Sequence, residues 1–130
     1  MILLDTHCAL WIELAPEKLS TKARNRIRKA ENSSETLAIS CMTLWEIAQK
    51  SARKQLELFV PCSQFLSEME KDLVVLPVNR AVVLHAAALP DLFPKDPMDR
   101  LIAGTALAND LTLITADERI QQAAACKLLW

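Results

Sequence analysis

Asp96-Pro97-Met98-Asp99-Arg100-Leu101-Ile102-Ala103 sets two carboxylates at the mouth of a helix. Pro97 suits the first helical position, where its missing N–H costs nothing and its φ is already helical. Asp96 is then the N-cap and Asp99 the third helical residue. Leu101, Ile102, Leu107 and the alanines between them predict a helix that buries most of its surface. Two readings of the acids are open. In one, Asp96 caps the free N–H groups and Asp99 faces the positive end of the helix dipole. In the other, at least one carboxylate faces a cleft and binds a cation.

The surrounding chain narrows the choice. Its 130 residues make one domain of ordinary size, able to bury a core without a metal or a disulfide. Apolar residues at 52% and charged residues at 24% exclude a disordered chain. A single glycine argues against a glycine-rich phosphate loop and against a turn-rich all-β fold. A net charge of −1 means that any nucleic-acid contact has to come from a local patch. Cys8, Cys41, Cys62 and Cys126 are far apart and lack zinc spacing. With no secretory leader they read as reduced thiols in a cytoplasmic protein. No apolar run approaches the ~20 residues of a membrane span.

Strands alternate with helices on either side of the central stretch. Met1-Ile-Leu-Leu-Asp5 is an apolar run without polar alternation, as in a strand covered on both faces, and Asp5 ends it. Asp5 or Thr6 starts a helix through Leu14. Ser20 caps a helix to about Glu31 that carries Lys22, Arg24, Arg26, Arg28 and Lys29, either a solvated face or an RNA-binding one. Leu37–Ser40 is a second strand. A helix follows from Met42, capped by Ser40 or Thr43, with Glu46 in its first turn among apolar neighbours. Ser63–Leu73 is helical, Leu73–Leu76 a third strand, and Asn79 caps the next helix. Leu111–Thr115 is the fourth strand and runs into Ala116-Asp117. Glu118–Ala125 is a last helix, and Lys127–Trp130 can add an edge strand. The expectation is an α/β fold: a central, mostly parallel sheet of four to five strands flanked by helices.

Asp5 and Asp117 follow strands, while Asp99 and Glu46 open helices. All four can therefore converge at the carboxyl edge of the sheet, where open α/β folds bind ligands. No lysine or histidine in these segments is evidently placed to neutralise them. Four crowded carboxylates repel unless a cation joins them. Oxygen-only donors favour Mg²⁺ or Mn²⁺ over zinc. Metal-assisted attack of water on a phosphodiester suits such a set.

Leu3-Leu-Asp-Thr-His7, Leu44-Trp-Glu-Ile-Ala48, Asp96–Ala103 and Leu113-Ile-Thr-Ala-Asp117, in this order and spacing, resemble the PIN-domain ribonucleases. The likeness covers residues 1–130 and is nearest to toxins of the VapBC toxin–antitoxin type. It implies a Mg²⁺- or Mn²⁺-dependent endoribonuclease that cuts tRNA or rRNA, is restrained by a VapB-type antitoxin, and forms a homodimer. By position, Asp5, Glu46 and Asp99 match the family's metal-binding acids and Asp117 the more variable fourth. Asp96 is an additional acid, a cap first and an outer acid second. Thr115 and Thr6 could each hold a carboxylate or a cation's water. Arg100 could pair with an acid or reach a phosphate. Arg24, Arg28 and Lys50 are the candidate RNA contacts. The glycine usual after the Glu46 helix is replaced by Arg53-Lys54-Gln55.

Other residues have structural and functional readings side by side. His7 could be a general base, although metal activation does not need one. Trp11 and Trp45 fill core or dimer contacts rather than stack bases. Cys8 is a buried small residue rather than a nucleophile. The loops around Trp11 and the Glu46 helix are expected to form an apolar groove for an antitoxin segment. Two further functions remain beside the ribonuclease: a catalytically weak PIN-like module that binds RNA or protein, and a metal-dependent DNase.

Overall fold

Ile2, Leu3 and Leu4 lack polar alternation because both faces of their strand are covered. In the computed structural model, which describes residues 1–130, they form β1 (Ile2–Leu4), the middle strand of a five-stranded sheet. The other strands are β2 (Leu37–Ser40), β3 (Val74–Leu76), β4 (Thr112–Ile114) and β5 (Leu128–Leu129), in the order β3-β2-β1-β4-β5. Every pairing is parallel, so the expectation of a mostly parallel sheet resolves to an all-parallel one. The terminal Lys127–Trp130 stretch does supply the edge strand.

Seven helices connect and cover the strands: α1 (Thr6–Leu14), α2 (Thr21–Asn32), α3 (Cys41–Ala52), α4 (Cys62–Asp72), α5 (Arg80–Ala87), α6 (Pro97–Ala108) and α7 (Glu118–Ala123). Side chains of Ser20, Asn79 and Asp96 cap α2, α5 and α6 as expected, with Pro97 in the first helical turn. Asp5 rather than Thr6 caps α1, and Ser40 rather than Thr43 caps α3. Thr43 is buried, and its hydroxyl faces the Thr6 hydroxyl at 3.1 Å instead. Helix α3 therefore begins at Cys41, which moves Glu46 from the expected first turn into the second.

Successive strand residues point to opposite faces, and two cores result. Ile2, Leu4, Leu37 and Ile39 pack with Ala9, Ile27, Phe65 and Met69 on one side. Leu3, Ala38 and Leu113 pack with Ile102, Ala103, Ala106 and Ile120 on the other. Helix α6 buries Ile102–Ala106 completely, while Leu101 and Leu107 stay partly open. Gly104 marks the closest approach of α6 to α5. A Cβ there would lie 2.7 Å from the Val82 carbonyl oxygen and 3.0 Å from the Ala86 Cβ.

With that glycine committed to packing, four helices end at a left-handed residue other than glycine: Ala124 closes α7 at φ 47°, and the other three share one pattern. Ser34, Lys54 and Asp110 follow α2, α3 and α6 at φ of 58°, 56° and 52°. This left-handed position is one that glycine favours. The next N–H turns back in each case: Glu35 to Ala30 O (2.9 Å), Gln55 to Lys50 O (2.9 Å) and Leu111 to Ala106 O (2.8 Å). The Arg53-Lys54-Gln55 stretch thus makes a glycine-type turn with lysine at the strained position.

Candidate active site

Strand register brings the first two site residues together. Leu4 of β1 pairs with Ile114 of β4, and the Asp5 N–H continues the ladder to the Ile114 carbonyl at 3.0 Å. Asp5 and Thr115 therefore leave the sheet side by side. The chain leaves β1 towards β2 on one side and returns to β4 on the other, so the carboxyl ends of β1 and β4 flank a topological switch point. Asp5 is almost fully buried. Its Oδ1 accepts the Thr6 N–H (2.8 Å) and its Oδ2 accepts the Thr115 hydroxyl (2.7 Å). The Thr115 Oγ1 in turn accepts the Asp117 N–H at 3.1 Å. Thr115 fills the expected role of holding a carboxylate.

Helix α6 presents Asp99 from its first turn, beside an exposed Asp96 whose Oδ1 accepts the Met98 N–H at 2.8 Å. Asp117 caps α7, accepting N–H groups of Arg119 (2.9 Å) and Ile120 (3.4 Å). Burial pushes the Asp99 carboxyl up to about 7, and the charges of Asp5, Asp96 and Asp117 push the same way, with only Arg119 opposing. Asp5, Asp96, Asp99 and Asp117 thus share one electrostatic environment at the sheet edge. The Arg119 hydrogen bond holds the Asp117 carboxyl below the usual carboxylate range.

Arg119 is the functional-site residue that the sequence reading missed. Its Nε and Nη2 donate to Asp117 Oδ1 (3.3 Å) and Oδ2 (2.9 Å), and Nη2 lies 3.7 Å from Asp99 Oδ2. The sequence reading looked for a lysine or histidine beside the acids, whereas the cation facing Asp117 and Asp99 is an arginine. The Asp117-Glu118-Arg119 spacing carried the signal, because a residue two places after an N-cap acid can fold back onto it.

Several candidates have other partners. The Glu46 Oε1 lies 3.8 Å from Lys50 Nζ, one helical turn on. Its helix nevertheless packs against α6. The Thr6 hydroxyl turns to Thr43, so only its backbone N–H serves Asp5. Arg100 pairs with no acid. Its guanidinium donates to the carbonyls of Leu89, Pro90 and Phe93 at 3.2–3.5 Å and tacks down the loop before α6. His7 Nδ1 lies 3.7 Å from Asp5 Oδ2, but Nε2 accepts the Ala116 N–H at 2.9 Å. With that lone pair engaged, His7 ties α1 to the segment after β4 and is no free base. Burial, reinforced by the charge of Asp5, pushes the Cys8 thiol far up, in keeping with an inert core residue.

The basic candidates divide. Arg24 donates to the Pro16 and Leu19 carbonyls and secures the start of α2. Arg28 is exposed in a shallow polar concavity with Asn25, Lys29, Asn32 and Ser33. Lys50 alone stands next to a candidate acid. Trp11, expected beside an apolar groove, has two aromatic partners. The Trp11 ring packs against His7 (4.9 Å) and Trp130 (6.0 Å). A cavity of about 310 Å³ opens between α1, α2 and α4, with Ile12, Leu37 and Met69 on its floor and Glu13, Glu31 and Asp72 on its rim.

Asp5, Asp99 and Asp117 offer hard oxygen donors without a histidine nitrogen or thiolate, and burial together with the neighbouring charges raises Asp99. That chemistry fits a hard divalent cation. In the present rotamers no three His, Cys, Asp or Glu side chains are arranged to hold one, and the Asp117 oxygens face Arg119.

The family model for the PIN domain matches residues 2–125. The chain belongs to the PIN-domain family. Within that family it is similar to Ribonuclease VapC22 of Mycobacterium tuberculosis, with 32% identity over 92% of this chain and 89% of the relative. Its fold is shared with DNA-bound VapBC from Salmonella typhimurium (TM-score 0.73, 21% identity, 99% of this chain and 98% of the other). VapBC2 from Rickettsia felis, bound to a DNA fragment from their promoter, has the same fold (TM-score 0.72, 19% identity, 99% and 98%).

Proposed function

We propose that the chain is a Mg²⁺- or Mn²⁺-dependent endoribonuclease and the toxin of a VapBC-type pair. The observation that carries the reading is the field at Asp99. Burial raises the Asp99 carboxyl to about 7, Asp5, Asp96 and Asp117 push it the same way, and such a cluster of oxygen donors suits a divalent cation. Asp5, Asp99 and Asp117 are the assigned ligands, and Asp96 an outer acid that adds to the field. Glu46 completes the set if its side chain leaves Lys50. A divalent cation there would supply Lewis-acid activation of water and offset the charge on the phosphodiester.

The chain's own residues prepare that site. Thr115 and the Thr6 N–H fix the rotamer of Asp5 from both oxygens. Helix α6 aims its N-terminal dipole at the same place, which favours a bound phosphate. Arg28, which is exposed, and Lys50, which is half-exposed beside Glu46, are the cations we assign to an RNA strand, and Arg24 contributes less because its guanidinium is engaged. Hydrolysis would break the bond from phosphorus to one ribose oxygen, with water adding to the phosphorus. The similarity to a protein named as a ribonuclease favours RNA over DNA as substrate.

The acidic groove between α1, α2 and α4 suits an antitoxin segment with apolar and cationic side chains. The exposed Val83, Leu84 and Leu92 on and after α5 suit a homodimer contact. No helix is long and apolar enough to cross a membrane.

Cleavage of a mixed tRNA and rRNA pool tests the proposal, with Mg²⁺, Mn²⁺ or EDTA and with Asp5→Asn as control. Discrete fragments that require the cation and vanish in the variant are expected. RNA binding that ignores EDTA and yields no fragments would point instead to a non-catalytic module, and cleavage confined to a DNA pool to the DNase.

A further inference from the structure

Arg119 reaches into the acidic site from outside. Its side chain is 69% exposed, whereas those of Asp99 and Asp117 are 17% and 19% exposed. The two oxygens of Asp117 have different duties. Oδ1 is fixed by the helix-capping N–H groups of Arg119 and Ile120. Oδ2 accepts only from Arg119 Nη2, at 2.9 Å. The same Nη2 faces Asp99 Oδ2 at 3.7 Å. A guanidinium nitrogen therefore stands between two carboxylate oxygens that come from different helices. Those are the atoms a cation joining α6 and α7 would need, and Asp117 Oδ2 can be released without loss of the cap.

We propose that Arg119 is a built-in competitor of the divalent cation: its guanidinium closes over Asp117 and Asp99 in the cation-free protein, and cation binding displaces it. The inference rests on the reading of these acids as metal ligands. A divalent ion and a guanidinium repel, so both cannot occupy the space between the two carboxylates. If the closed arrangement dominates, the apparent dissociation constant rises by the inverse of the open fraction. The arginine is exposed and solvent-screened, so the closed state is favoured only modestly. It tunes the cation concentration at which the site loads and does not block loading.

Isothermal titration with Mn²⁺ on wild type, Arg119→Gln, Arg119→Lys and Asp99→Asn tests this. None of the Arg119 substitutions touches the backbone N–H that Asp117 caps. Arg119→Gln is expected to bind Mn²⁺ roughly three- to tenfold more tightly than wild type, as for an open fraction of about 0.1–0.3. Arg119→Lys keeps the charge without the planar fork and should fall between them. In wild type the Arg119 Nε–H resonance should lose its hydrogen-bonded shift as Mg²⁺ is added. Wild-type or weaker Mn²⁺ affinity in Arg119→Gln overturns the proposal. If Asp99→Asn still abolishes binding in that case, the metal-site reading survives and only the competitor role fails. Undiminished binding in Asp99→Asn would remove the metal-site reading, and the competitor role with it.

Discussion

Asp99→Asn should stabilise the cation-free protein while it abolishes cation binding. An ordinary aspartate titrates near 3.8, and Asp99 is pushed to about 7 by burial and by three neighbouring carboxylates. The native state therefore holds a proton there that the unfolded state releases, across the window from about pH 4 to 7. Stability linked to this group is fully present below pH 4 and is lost as pH rises through 7. At about 1.4 kcal/mol per pH unit, the ceiling on that loss is about 4 kcal/mol. Solvent at the open cleft screens part of it, and an amide at a helix start forgoes some dipole stabilisation, leaving about 1–2 kcal/mol. Urea unfolding in EDTA measures the difference. The variant should be the more stable protein at pH 8, and the gap should close as pH falls towards 4. Added Mg²⁺ should reverse the order, because only wild type gains by binding it. A variant less stable than wild type at pH 8 in EDTA would refute the argument that Asp99 is held against its preference.

Three further substitutions probe the frame around the site. Thr115→Val removes the hydroxyl between Asp5 Oδ2 and the Asp117 N–H, and urea midpoints should report a loss of about 1.5–3 kcal/mol for a charge-assisted bond at a buried carboxylate. Gly104→Ala drives a Cβ to 2.7 Å from the Val82 carbonyl oxygen, and calorimetry should show a destabilisation of about 1–3 kcal/mol from overpacking between α5 and α6. Lys54→Gly relieves a left-handed lysine after α3; it should gain up to about 1 kcal/mol in urea unfolding with RNA cleavage unchanged.

Much of the architecture was legible because its signals are local. Leu3-Leu4-Asp5 and Leu113–Asp117 announce strands that end in acids, and Ser20, Asn79 and Asp96 announce helix starts. The parallel edge strand at Leu128–Leu129 was legible as well, from a short apolar run after a helix. Side-chain partnerships across the fold were harder to read. Thr6 stands beside Asp5 in sequence, but packing of α1 on α3 gives its hydroxyl to Thr43, thirty-seven residues away. Arg100 stands beside Asp99, yet a helix turns successive residues about 100° apart, and it points to the carbonyls of the preceding loop. His7 would pass for a base until the β4 end places the Ala116 N–H on its Nε2. Trp11 has an aromatic partner, Trp130, that lies far from it in the sequence.

Anomalous scattering from crystals grown with Mn²⁺ addresses the site directly. The account predicts one strong peak or a close pair at the carboxyl edge of β1 and β4, within ligand distance of Asp5, Asp99 and Asp117, with Arg119 turned away. Well-ordered crystals with no peak there, or with Mn²⁺ held only by other side chains, would contradict it.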